Sequence, residues 1–434
     1  MIKKVKSPQK IDITITPPGD KSISHRAALL NSFAYGTAHV SNFCVGDDRT
    51  SMLGCLKGLG ATIITHSGCS VCKTEECFEI RGNGFEGLTE PSDVLWAGNS
   101  GTTMRLVSGL LSGLDFYTVI NGDESLRKRP MRRITAPLET MGASISGRDG
   151  GALAPLAFNG GNLEGIKYEM PVASAQLKSC LLIAGLLAKG ETTVIQPAES
   201  RDHTERMLKS MGAHLESEGL SITIKKGDLN SVNVRVPCDT SSSAFWLVAG
   251  CCHPNAKINL QNVGMNPTRT GVLEVLENMG ADILVKNERM EGGEPVADLV
   301  ASSSNMEAVE ISGDIIPRVV DELPVLSLAA CFAKGTTLIK DAQELRVKES
   351  DRISSTVDIL AKLGAAIEET DDGMKIKGGR QLEGTTVSSH GDHRIAMTSA
   401  IAGLVSTQET IINGAEAASV SYPTFWDSIN SMQD

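Results

Sequence analysis

The chain has 434 residues, 41% hydrophobic and 21% charged, with 41 Lys+Arg against 52 Asp+Glu and a net charge of −11. At about 150 residues per domain this length predicts two or more globular domains, and the composition excludes disorder of the whole chain. The acidic balance argues against non-specific nucleic-acid binding. The longest apolar runs, Cys180–Ala188 and Val325–Ala333, fall well short of the ~20 residues of a membrane span.

The opening MIKKVKSPQK has lysines but no apolar stretch behind them, so a cytoplasmic protein is expected. Ile11–Thr16 alternates as a strand. From residue 21 onward one pattern recurs: an apolar helix, a short turn, then a β-branched strand. It occurs at Ala27–Ser41, Arg105–Asn121, Leu177–Gln196, Phe245–Gln261, Leu326–Lys340 and Ala396–Asn413. A second signal interleaves with it. Helical stretches end at Leu59-Gly60-Ala61, Met141-Gly142-Ala143, Met211-Gly212-Ala213, Met279-Gly280-Ala281 and Leu363-Gly364-Ala365. Each glycine stands where a helix C-terminus favours a left-handed residue, and a strand is expected directly after it. A sixth joint would fall near Met432, where the sequence stops.

Six units of two helices and three or four short strands suggest an α/β protein of two domains with three units each. Between Lys225 and Asp239 a polar strand ending at Pro237 precedes the next apolar helix and marks the boundary. The expected domains are 21–239, and 1–20 plus 240–434. A hinge is expected near 19–21 and 238–240.

Ten cysteines in a chain of this length do not imply a disulfide framework. The dense group His66, Cys69, Cys72 and Cys77 admits a zinc reading, but there is no second CxxC pair, so ordinary thiols are expected.

Three predicted helix starts carry small or hydroxylated residues with bases nearby: Pro18–Arg26, Gly98–Arg105 and Ser174–Lys178. Free N–H groups and the helix dipole favour anions there, although Ser and Asn also cap helices for purely structural reasons. Bases follow the repeated strands at Arg49, Arg127, Arg129, Arg132, Arg133, Arg201, Arg269, Arg346, Lys348 and Arg352. In an acidic chain this recurrence points to a cleft for a highly anionic ligand. No Walker, GxGxxG, HExxH or GxSxG pattern is present. What remains is Lys, Arg, His and carboxylate chemistry on small anions, with no metal required.

GDKSISHR (19–26), GNSGTTMR (98–105), KRPM (128–131), SAQLK (174–178), RDHTE (201–205), DELP (321–324), LRVKESDRI (345–353) and GDHRIAM (391–397) together resemble the 5-enolpyruvylshikimate-3-phosphate synthase family. The resemblance implies a two-domain enolpyruvyl transferase fold, each domain three βαβαββ repeats, an inside-out α/β barrel. It also implies transfer of the enolpyruvyl group of phosphoenolpyruvate to the 5-hydroxyl of shikimate 3-phosphate, without a cofactor. Proton transfer is implied for Lys21, Asp321 and Glu349, with His393 near phosphoenolpyruvate. Shikimate 3-phosphate falls to Lys21, Ser22, Arg26, Ser174, Ala175, Gln176, Arg201, Asp321 and Lys348. Phosphoenolpyruvate falls to Lys21, Asn99, Gly101, Thr102, Arg129, Gln176, Arg352 and Arg394. Without the resemblance, Asp321 is also an N-cap candidate and His393 a buried imidazole. A monomer is expected, with no nucleic-acid or membrane partner.

One segment departs from the family. Val420-Ser421-Tyr422-Pro423 stands where enteric members carry Lys-Thr-Phe-Pro with a phosphoenolpyruvate-binding lysine. GDKS, SAQLK, RDHTE and Asn266-Pro267-Thr268-Arg269 are similar to the glyphosate-tolerant class II branch. Gly101 stands where strongly tolerant members place alanine, so intermediate tolerance is expected. The sister enolpyruvyl transferase acting on UDP-N-acetylglucosamine is the alternative, but its lysine is followed by asparagine rather than by a residue such as Ser22.

Overall fold

The computed structural model describes residues 1–433, apart from the side chain of Glu75. The chain divides into two compact units. Unit 1 comprises Met1–Pro18, Pro237–Met290 and Glu294–Asp434; unit 2 comprises Gly19–Val236 with Glu291–Gly293.

Each unit is a threefold repetition of one sheet. In unit 2, Gly36–Ser41 pairs in parallel with Val234–Arg235 and antiparallel with Thr74–Gly82, which also pairs with Thr62–Cys69. The same order recurs around Tyr117–Asn121 and around Glu191–Ile195. In unit 1 it recurs around Ala256–Gly264 and Thr336–Ile339. The strand expected at 11–16 is Ile11–Ile15 and pairs in parallel with Ala256–Leu260.

The sixth copy is shorter. Thr410–Asn413 pairs in parallel with Thr386–Ser388, but its antiparallel partner is Ile2–Val5 from the other end of the chain. This strand went unread in the sequence, because four residues beginning Ile-Lys-Lys show no convincing alternation. Val5 is fully buried while Ile2 is exposed. The N-terminus thus supplies the strand that the truncated last repeat lacks.

Six helices lie at the centre of the repeats: Lys21–Ser32, Gly101–Leu111, Ala175–Gly185, Thr240–Cys252, Leu323–Phe332 and His393–Val405. They are buried nearly all round; Thr240–Cys252 buries every one of its residues. Burial on all sides explains why they read as continuous apolar runs rather than as stripes. Five of the six start at a side-chain cap. Asp20, Ser100, Ser174, Asp239 and Asp392 each accept a hydrogen bond from a backbone N–H of the first turn.

All five expected glycine joints form. Gly60, Gly142, Gly212, Gly280 and Gly364 have φ between 85° and 100° in every case. The following alanine N–H reaches back to the helix, as Ala61 does to the Leu56 carbonyl at 3.0 Å and Ala365 to Leu360 at 3.0 Å. The strands expected after them follow directly, from Thr62, Ile145, Leu215, Asp282 and Ala366. Two repeated strands stop one residue earlier than expected, at Ile195 and Ile339, and a third differs by more. The strand expected to end at Gln261 runs on to Gly264 through a bulge between Leu260 and Val263, with Asn262 at φ 57°.

Among the described residues, no helix is long and apolar enough to cross a membrane. All ten cysteines are free thiols.

Candidate active site

Unit 2 gathers its expected residues at the N-terminal ends of its three core helices. Lys21 opens the first, and its ammonium lies 2.8 Å from the buried Asp48 carboxylate. The Lys21 side chain is one-third exposed, so it faces solvent while Asp48 holds it from behind. Arg26, one turn on, is 2% exposed. It donates to the Ser22 carbonyl at 3.0 Å, to Ser179 Oγ at 2.7 Å and to Thr204 Oγ1 at 2.5 Å. This guanidinium therefore ties the first core helix to the third and to the helix His203–Ser210. Arg201 lies half-buried in the loop before that helix.

The second and third helix starts are joined by one amide. Gln176 donates to Thr102 Oγ1 at 3.0 Å and accepts from Arg105 Nη1 at 2.5 Å. Beside it, Arg129 donates to Asn99 Oδ1, and the Asn99 amide donates to Asp123 at 2.7 Å. Gly101 is buried here, and a Cβ built on it would stand 3.4 Å from Arg129 Nη1 and 3.8 Å from Arg105 Nη1. Ser174 caps the third helix through the Leu177 N–H at 3.4 Å, and Ala175 accepts from Ser179 Oγ at 2.6 Å. Below lies the fully buried Lys178, paired with Glu205 at 2.6 Å. Three of the six core-helix N-terminal turns lie in this unit, beside Lys21, Arg105 and Arg129.

Unit 1 has a different character, because here carboxylates surround a base. Arg352, 2% exposed, opens the helix Arg352–Lys362. Its Nε lies 2.8 Å from Asp392, Nη2 lies 2.6 Å from Glu349 and Nη1 lies 3.3 Å from Asp321. Asp321, Glu349 and Arg352 are thus brought together as expected, and Lys348 stands 3.9 Å from Asp321. Burial lowers the Lys348 ammonium from its ordinary value, against the pull of Asp321 and Glu344. Burial works against the Asp392 carboxylate as well, but the Arg352 charge outweighs it and holds the group ionised.

Asp321 is not the N-cap of the next core helix. That position belongs to Glu322, which makes no side-chain cap bond. Glu322 instead accepts from Ser241 Oγ and lies 3.8 Å from Arg394. His393 is buried, its Nδ1 3.9 Å from Asp392. Burial pushes its imidazolium down to about 4, so the ring is neutral at neutral pH.

Sequence reading missed Asp48, Arg105, Asp392 and Glu322 as parts of these clusters. Arg105, Asp392 and Glu322 lie inside motifs already quoted, and Asp48 stands one residue before Arg49. Of the recurring bases, Arg49 pairs with Glu76, Arg132 with Glu139, and Arg346 with Asp351 and Glu369. The Arg346 pairs lie partly in solvent, so this arginine braces a turn. At the departing segment, Val420 is half-buried and uncharged, while Tyr422 OH accepts from the Trp246 indole at 3.3 Å.

The model of the EPSP synthase (3-phosphoshikimate 1-carboxyvinyltransferase) family matches residues 5–429. The chain belongs to the EPSP synthase family. It is 49% identical over 439 residues to the 3-phosphoshikimate 1-carboxyvinyltransferase of Roseiflexus castenholzii, covering 100% of both chains. It is 51% identical over 419 residues to that of Bacillus cereus, covering 96% of each. The EPSP synthase structure from Acinetobacter baumannii matches with a TM-score of 0.88 at 41% identity, over 99% of this chain and 98% of that one. The fold is accordingly the two-domain inside-out α/β fold of the EPSP synthase family. Its activity is enolpyruvyl transfer from phosphoenolpyruvate to shikimate 3-phosphate, in aromatic amino-acid biosynthesis.

Proposed function

We propose that the helix starts of unit 2 and the Arg352 cluster of unit 1 supply the groups that bind the two anions and move the protons of this transfer. The 5-hydroxyl oxygen of shikimate 3-phosphate bonds to C2 of phosphoenolpyruvate and loses its proton. C3 gains a proton, giving a tetrahedral intermediate with a methyl group. The C2–phosphate bond then breaks, C3 returns a proton, and phosphate leaves. Lys21, Asp321 and Glu349 carry these proton transfers, and neutral His393 lies on the phosphoenolpyruvate side. Two polyanions repel one another, so holding them in attack geometry needs fixed positive charge.

Shikimate 3-phosphate is assigned to Lys21, Ser22, Ser174, Ala175, Gln176, Arg201, Asp321 and Lys348. Arg26 joins them from behind, through the Ser22 carbonyl. Asn99, Gly101, Thr102, Arg129, Gln176, Arg352 and Arg394 take phosphoenolpyruvate, with Lys21 shared. The observation that carries this reading is the meeting of Asp321 and Glu349 at one guanidinium, 2.6 to 3.3 Å away. Glu349 reaches the guanidinium from three residues away and Asp321 from thirty-one, so two separate segments bring carboxylates to one buried charge, as a site for proton transfer needs. The same proposal has the chain act as a cytoplasmic monomer that requires no metal or cofactor for the reaction. It divides the chain into 21–239 and 1–20 plus 240–434, hinged near 19–21 and 238–240.

The reaction run in deuterium oxide tests the mechanism. The methyl of the intermediate would lose either isotope, so deuterium should enter the vinyl CH2 of the product. A product free of vinyl deuterium would exclude addition followed by elimination.

A further inference from the structure

The hairpin of the first repeat carries a second cluster, which the reaction does not use. Thr62–Cys69 and Thr74–Gly82 extend beyond the third strand, whose pairing ends at Ser41 opposite Cys77. The tip from 69 to 74 is therefore only two strands wide, and such a ribbon is marginally stable by itself. His39 Nδ1 lies 3.8 Å from Cys69 Sγ and 3.8 Å from Cys77 Sγ, and all three ligand atoms fall within 4.8 Å of one another. Cys72, in the turn that joins the two strands, is the fourth candidate ligand.

We infer that Cys69, Cys72, Cys77 and His39 form a tetrahedral Cys3His site for zinc that pins this hairpin tip to the strand Gly36–Ser41. A tetrahedral zinc with Zn–S of about 2.3 Å and Zn–N of about 2.0 Å separates its sulfur and nitrogen ligands by about 3.6 Å, close to the spacing found. The turn is shaped for a thiolate. Thr74 Oγ1 donates to Cys72 Sγ at 3.3 Å and so favours a charged sulfur there. Gly68 at φ 76° and Lys73 at φ 53° bend the chain on either side of the Cys-x-x-Cys turn.

The histidine is not the one the sequence suggested. His66 is held by Glu79 at 2.8 Å, while His39, thirty residues before Cys69, faces the sulfurs. The repeat itself does not require the set. The equivalent turns at 148–152, 219–220, 292–293 and 370–373 contain no cysteine.

Zinc content of the full-length protein tests this, measured after loading with zinc and gel filtration. About one zinc per chain is expected in the wild type and in His66→Ala, and less than a tenth of that in Cys69→Ser/Cys77→Ser. Cobalt(II) added to the wild type should give the intense d–d and thiolate charge-transfer bands of a tetrahedral site, a readout that needs no variant. Absence of retained zinc and of those bands, or equal zinc in the double variant, would overturn the site. So would a Cys69–Cys72 or Cys69–Cys77 disulfide in the protein as isolated.

Discussion

Three carboxylates around one buried guanidinium set the charge state of unit 1. Asp392 caps the helix His393–Val405 through the Arg394 N–H at 2.8 Å and holds Arg352 with its other oxygen. Arg352 likewise orients Glu349 at 2.6 Å, and the proposal has this carboxyl group exchange a proton with substrate. Lys21 is held in the same way by Asp48. Lys21→Met and Glu349→Gln should each lower turnover by ~10²–10⁴-fold with an unchanged far-UV circular dichroism spectrum. Retention of more than a tenth of wild-type turnover by either variant would remove that residue from proton transfer.

At Gly101 the space is measured by its neighbours. An added methyl would touch Arg129 without striking backbone. The fold should tolerate Gly101→Ala, while an inhibitor longer than phosphoenolpyruvate loses room at Arg129. The ratio of the glyphosate inhibition constant to the phosphoenolpyruvate KM should rise, on the ~1–3 kcal/mol scale of a single-methyl clash. An unchanged ratio would mean that Gly101 does not border the inhibitor.

His393 makes a pH prediction. Its folded value of about 4 lies below the ordinary 6.5, so between these limits the unfolded chain binds the extra proton. Its contribution to stability is present above pH 6.5 and is lost as pH falls towards 4. Denaturant midpoints at pH 7 and pH 5 should therefore differ more in the wild type than in His393→Gln. An equal difference in both would place the acid sensitivity elsewhere.

Among the elements, the glycine joints show how much a short sequence pattern can carry. Each joint was legible because a left-handed residue after a helix leaves a local mark, independent of the rest of the fold. The strand Ile2–Val5 was not legible, because its partner lies some four hundred residues away and its own pattern is too short. The same physics separates two glycines with open space around them. Gly364 has φ 91°, so Gly364→Ala should destabilise by ~1 kcal/mol through backbone strain. Gly54 lies exposed inside the helix Asp47–Gly58, so Gly54→Ala should stabilise by ~0.5–1 kcal/mol. Opposite shifts in melting temperature are expected, and shifts of the same sign would contradict the joint reading.

Over the whole molecule, two sets of three repeats were visible as phase-locked helix, turn and strand signals, and the family motifs located most candidate residues. What the sequence concealed was partnership. Asp48 with Lys21, Arg105 with Gln176 and Asp392 with Arg352 join residues 27 to 71 positions apart. Such pairs are set by how repeats pack, and no local spacing encodes them. His39 escaped notice beside Cys69 for the same reason. The acceptor distinguishes this transfer from that of the sister enolpyruvyl transferase. Phosphate release from phosphoenolpyruvate should be followed with shikimate 3-phosphate, with UDP-N-acetylglucosamine, and with neither. Release is predicted only with shikimate 3-phosphate, one phosphate for each enolpyruvyl ether formed. Release with UDP-N-acetylglucosamine, or none with shikimate 3-phosphate, would contradict it.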